Sequence, residues 1–331
     1  MSGQSKEIPT LALEHVDAGF IGVDPAAGTI PGAMSRCLEV LTRIAVDPGK
    51  VRLVVTGDFV GSVRERVDDG PASDDFNLKR GSGMVAGKTM PRDDGSIDVL
   101  LPWWFFSLKL EGEHQVSADY LAVRTATHEA QHVAMRQNGQ SFVAPAESSW
   151  RERNFTNAAD SILDEYRAEL GVAQLYDNED SPWAPIDVLS ALSRGIAVAV
   201  ASYQEHLEVD RLAFELGSVC VVAWKAFAYM AAIDVHSPEK SPVASDVQHD
   251  PLWIRMGATS WPHFRAALAS APSGVEVMTE DAVATQVTNL AHTLAAWLIE
   301  LGFTWTDTEF KIASWYFTDR DFHEAMRDQA S

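Results

Sequence analysis

Every segment with strand character in this chain lies before Phe105, and from Ser117 almost to the end the apolar residues recur at helical spacing. That asymmetry limits the fold more than any single motif. A doubly wound sheet needs strands alternating with helices along the whole chain. Strands gathered at one end and helices at the other imply an α+β arrangement with one small sheet.

The segments follow local rules. Up to about Thr29 the chain is rich in Gly, Pro and Asp and shows no period, so it is expected to be irregular. Ile30 to Val46 sets Met34, Cys37, Leu38, Leu41 and Ile44 on one helical stripe, with Pro31 near the first turn. Val51 to Gly57 reads as a strand and is followed by a helix opened by Asp58. Met84 to Met90 and Ser96 to Pro102 read as two strands joined around Asp93-Asp94-Gly95, which makes the sheet mostly antiparallel.

Next comes a helix from Ser117 to Asn138-Gly139, and another from Asn154 to Asp177 capped by Thr156 or Asn157. Long apolar helices are expected over Ile186 to Val209 and Leu212 to Ile233. Several more follow, two of them opened by the capping boxes Thr306-x-x-Glu309 and Thr318-x-x-Asp321. The implied division is a sheet-bearing domain over residues 1–180 and a helical domain or subdomain over residues 181–331.

Charge excludes some partners. A formal net charge of −21 and 47 acidic against 26 basic residues disfavour phosphate backbones and anionic headgroups. Neither nucleic acid nor a membrane is an expected partner. The uncharged run from Ala282 to Ile299 contains Thr, Gln, Asn and His and reads as a core helix. Cys37 and Cys220 read as buried free thiols, with a single long-range disulfide as the alternative, and no apolar segment follows the charges of "MSGQSKEIPT", so a cytoplasmic protein is expected. Oligomeric state is not legible.

The chemistry gathers in "TATHEAQHVAM", Thr125 to Met135. Residues four apart share a helix face, so His128 and His132 can converge on one ion, while Glu129 projects beside them. Imidazole nitrogen suits zinc, and a hydrolytic zinc site uses three protein ligands with one position left for water. Glu129 could then accept a proton from that water. The five-residue pattern also arises by chance, so a third ligand decides. Met135 and Asn138 stand where a metzincin needs Gly and His, which excludes that class. The next helix offers Glu165 and Glu169, four apart in "DEYRAEL"; Asp160, Asp164 and Glu147 are competing carboxylates.

His128-Glu129-x-x-His132 followed by Glu165-Tyr166-Arg167-Ala168-Glu169 resembles the gluzincin metallopeptidases, specifically their small-scaffold members. The resemblance spans about Val51 to Tyr176. It implies a zincin-like fold, one zinc ion per chain and hydrolysis of a peptide or protein substrate. It also implies Glu165 as the third ligand and Glu169 as hydrogen-bond partner of a ligand histidine, a place where the family usually has Asp. Zincins commonly hold an extended peptide against the edge strand preceding the active-site helix. Here that strand would be Ser96 to Trp104, with Asp98 and Leu100 on one side and Val99 and Leu101 on the other; the alternative is an internal strand with no ligand contact. Tyr166, His206, Tyr316 and Arg167 are candidates by type for a donor to the developing oxyanion. The alternative function is a zincin-derived binding or regulatory protein that does not cleave.

Overall fold

The computed structural model describes residues 7–67, 79–80, 83–109, 111–176, 181–308 and 312–317. The fold is α+β, with nine α-helices and a small mixed four-stranded sheet among the described residues. Two compact units divide the chain. One comprises Met1–Arg80, Met84–Gln140 and Gly274–Val277; the other comprises Gly81–Gly83, Ser141–Ser273 and Met278–Ser331. The main break thus falls at 140/141 and not near 180, because the helix beginning at Trp150 packs with the later helices.

In the first unit the sheet runs in the order β1 (Thr10–Glu14), β2 (Val51–Thr56), β4 (Ile97–Pro102), β3 (Lys88–Pro91). β1 pairs parallel with β2, and β2 pairs parallel with β4; only β3 and β4 are antiparallel. The expected mostly antiparallel sheet is therefore corrected to a mixed one. The missed element is β1, five residues inside a stretch read as irregular. Helix α1 (Gly32–Ile44) returns the chain between β1 and β2, and such a crossover is what parallel pairing requires. The expected hairpin forms as β3 and β4, where Gly95 at φ +78° donates its N–H to the Arg92 carbonyl.

Strand alternation sorts the side chains into two layers. Leu53, Val55, Val99 and Leu101 pack with the buried stripes of α1 and of α3 (Gly112–Gln137). Val54, Met90 and Leu100 point the other way, onto Phe59 and Val63 of α2 (Phe59–Arg64). Asp58 opens α2 as expected, its side chain accepting from the Gly61 N–H. Helix α3 starts at Gly112, five residues ahead of the expected Ser117.

The second unit contains α4 (Trp150–Ala173), α5 (Pro185–His206), α6 (Val209–His236), α7 (Pro251–Met256), α8 (Ser260–Leu268) and α9 (Glu280–Glu300). A capping box starts α4. Ser149 accepts from the Glu152 N–H, and Glu152 accepts from the Ser149 N–H. Thr156 and Asn157, read as caps, lie inside the helix. Helix α4 packs on α6 and α9 around Phe227, Trp224, Trp253, Trp261, Phe264 and Trp297. Helices α5 and α6 are long and apolar enough to cross a membrane by length and composition, and 44% and 61% of their most apolar windows are buried.

The last described segments are strands, not helices. β5 (Phe303–Thr308) and β6 (Ile312–Phe317) form an antiparallel hairpin, so Thr306 sits within a strand instead of capping a helix. Alternating Thr and aromatic residues suit a pleated ribbon better than a helix, where their χ1 freedom is lost. Glu309 and the Thr318/Asp321 box lie outside the described residues. Cys37 and Cys220 are free and buried, one in each unit, and burial pushes both thiols up to about 12.

Candidate metal centre

Helix α3 brings His128 and His132 to one face one turn apart, with their Nε2 atoms 3.2 Å from each other. The rings meet nearly edge to face, at 73°. A tetrahedral zinc with imidazole ligands at its usual bond length separates two ligand nitrogens by about 3.3 Å. The pair is thus already spaced as one edge of a zinc tetrahedron.

Glu129 projects from the same turn and is buried. Strand β3 holds it. Thr89 pairs with Val99 across the ladder, so its side chain shares the layer of Val99 that faces α3. There the Thr89 hydroxyl lies 2.7 Å from Glu129 Oε2 and 3.1 Å from the Glu129 carbonyl oxygen, donating to that pair of acceptors. Gly87, just before the strand, makes this approach possible. A Cβ at that position would come 2.5 Å from Thr125 Cγ2 and 3.0 Å from Glu129 Oε1.

Within the second unit, Glu165 is half-buried on α4 and faces two residues of α6. Lys225 Nζ is 3.1 Å from Oε1, and the Tyr229 hydroxyl donates to Oε2 at 3.1 Å. Glu169 is buried one turn further along α4.

Among the described residues, one group of at least three His, Cys, Asp or Glu has its ligand atoms converging. It is His128, His132 and Glu165, with one ligand atom from each lying within 4.8 Å of the others. Such a group could hold a metal ion. Two imidazoles and one carboxylate fit zinc by donor type, and the 3.2 Å nitrogen spacing fits it by distance. Asp160 and Asp164, on the same helix as Glu165, are not members of the group, and Glu147 is exposed.

The substrate strand read from the sequence must be corrected. β4 lies inside the sheet with β2 on one edge and β3 on the other, so its backbone has no open side for an added peptide. Val99, Leu100 and Leu101 are core residues. Asp98 is fully buried and bound by arginines, accepting from Arg52 at 2.7 and 2.9 Å, Arg66 at 2.7 Å and Arg92 at 3.2 Å. Burial alone would raise its carboxyl; the hydrogen bonds from Arg52 and Arg66 outweigh that and hold it below the usual carboxylate range.

The type-based oxyanion donors also find other places. Tyr166 is buried, its hydroxyl meets no partner among the described residues, and burial pushes its pKa well up. Arg167 donates to the carbonyls of Pro272 and Ser273. His206 accepts from the Glu208 N–H at the end of α5. Tyr316 lies on β6, opposite Thr304. Sequence reading missed Thr89, Gly87, Lys225 and Tyr229. For the last two a signal existed: Lys225 is the sole charged residue between Leu216 and Ile233, and Tyr229 follows it by four.

Compared with known proteins, the chain matches no family model, no curated protein and no solved structure.

Proposed function

We propose that this chain is a zinc-dependent peptidase in which His128, His132 and Glu165 hold one zinc ion and Glu129 is the general base. The observation that carries the reading is the imidazole pair at zinc-ligand spacing with a buried, anchored carboxylate beside it.

A zinc ion there would supply Lewis acidity, bringing the pKa of a water toward neutrality and polarising an amide carbonyl. The chain's own groups do the rest. Thr89 fixes Oε2 of Glu129, so Oε1 is the oxygen offered to the water proton. Glu129 then passes that proton to the leaving amide nitrogen, so one O–H bond breaks and one N–H bond forms through a single carboxylate. Fixing the carboxylate by Thr89 reduces the conformations it must search before transfer. Glu169 is assigned the N–H of a ligand imidazole, which would set its tautomer. An extended substrate would align along Lys88–Pro91, the edge strand that carries Thr89, and not along Ile97–Pro102.

The test is a peptide-library digest with wild-type and Glu129→Gln protein at equal zinc content. Cleavage by wild type and its loss in the variant support the reading. Equal cleavage by both overturns the base assignment. A wild type that holds zinc and cleaves nothing favours the non-catalytic alternative, toward which the Lys225 ammonium on Glu165 also points.

A further inference from the structure

We infer that Lys225 is an exchangeable counter-cation for Glu165 and Tyr229 its fixed orienter, so that a divalent ion binds in competition with the chain's own ammonium. The inference rests on the metal centre proposed above, and it concerns how that centre is kept ready and how tightly it binds.

The two α6 residues divide the Glu165 carboxylate between them, one on each oxygen, both at 3.1 Å. Their placement needs a cause. Lys225 interrupts an otherwise uncharged run of α6, where a half-buried ammonium is costly unless paired. Glu165 is that pair, and together they let a carboxylate wait charged and aimed without a metal. The residues differ in freedom. The Lys225 side chain is 25% exposed and ends a flexible four-carbon stem, so it can swing to water when a dication takes its place. The Tyr229 ring packs edge to face against Trp183, with centroids 6.2 Å apart, and its short reach leaves the hydroxyl on Oε2. An ammonium and a dication on one carboxylate repel each other, and exchange relieves this. Tyr229 carries no charge and remains compatible with the metal.

The two residues therefore predict opposite signs in one measurement. Zinc affinity is read by competition with a chromophoric chelator, using full-length protein. Lys225→Met should bind zinc about tenfold more tightly than wild type, since it removes a repelling charge. Lys225→Arg, which keeps the charge, should not tighten. Tyr229→Phe should bind about tenfold more weakly, as expected for losing a hydrogen bond that orients a ligand. As a second readout on unmutated protein, saturating zinc should increase acylation of Lys225 by an amine reagent severalfold, followed by mass spectrometry.

Unchanged or weakened affinity in Lys225→Met, or acylation of Lys225 unaffected by zinc, overturns the exchange. Weakening by both variants would make Lys225 an orienter as well. If His132→Ala binds zinc as wild type does, the metal centre itself is wrong; if His132→Ala loses zinc and Lys225→Met matches wild type, only the exchange fails.

Discussion

The Nε2 atoms of His128 and His132 stand 3.2 Å apart, one helical turn from each other on α3. Two neutral imidazoles can share a single hydrogen bond at that distance, and a tetrahedral ion can replace it with two coordinate bonds at nearly unchanged spacing. The chain does not have to rearrange the pair to receive a metal. We expect purified wild-type protein to hold about one zinc per chain, and His132→Ala to lose it, by elemental analysis after dialysis. Retention of stoichiometric zinc by the variant would contradict the assignment.

Glu129 is not a ligand in this scheme, so its chemistry and the metal should separate. Glu129→Gln should keep zinc and lower kcat about 10²- to 10⁴-fold, the usual contribution of a general base. Thr89→Val should also keep zinc, with a smaller loss in kcat, because the carboxylate remains but is no longer fixed at Oε2. Steady-state rates on a cleavable peptide, normalised to bound zinc, check both.

Gly87 is required by proximity, since its Cα lies too close to α3 for a methyl group. Gly87→Ala would press a Cβ into Thr125 Cγ2 and Glu129 Oε1. We expect about 1–3 kcal/mol of destabilisation in urea unfolding, as for overpacking elsewhere. A larger proportional loss in kcat than in zinc content should accompany it. A variant as stable and active as wild type would mean that the strand can retreat from the helix without consequence.

Asp98 sets an acid limit on the first unit. Its folded carboxyl is held below the value of about 3.9 that it has in the unfolded chain. Its contribution is therefore full above that value and is lost as pH falls through the folded pKa. Asp98→Asn should be destabilised by about 3 kcal/mol at neutral pH, because Arg52 and Arg66 lose the charge that pairs them. The stability gap between variant and wild type should narrow below about pH 4. Chemical denaturation at stepped pH values measures both effects, and a gap independent of pH would remove Asp98 as the source.

Much of this protein is written in local sequence. Helical spacing set His128, Glu129 and His132 on one turn and Glu165 and Glu169 on another, and turn residues marked the hairpin of β3 and β4. Those features depend on neighbours within four or five positions, which a single chain displays openly. The pairing of Thr10–Glu14 with Val51–Thr56 left no comparable mark, and neither did the interior place of Ile97–Pro102 or the terminal hairpin. Strand partners are chosen by burial over long separations, and a five-residue strand carries too few side chains to announce its partner. The same holds at the candidate site. Thr89 reaches Glu129 across 40 positions, and Lys225 and Tyr229 reach Glu165 across 60 and 64. Sequence determined which groups could do chemistry; packing decided which side chains hold them, because only packing brings distant polar atoms within hydrogen-bond range where water no longer competes.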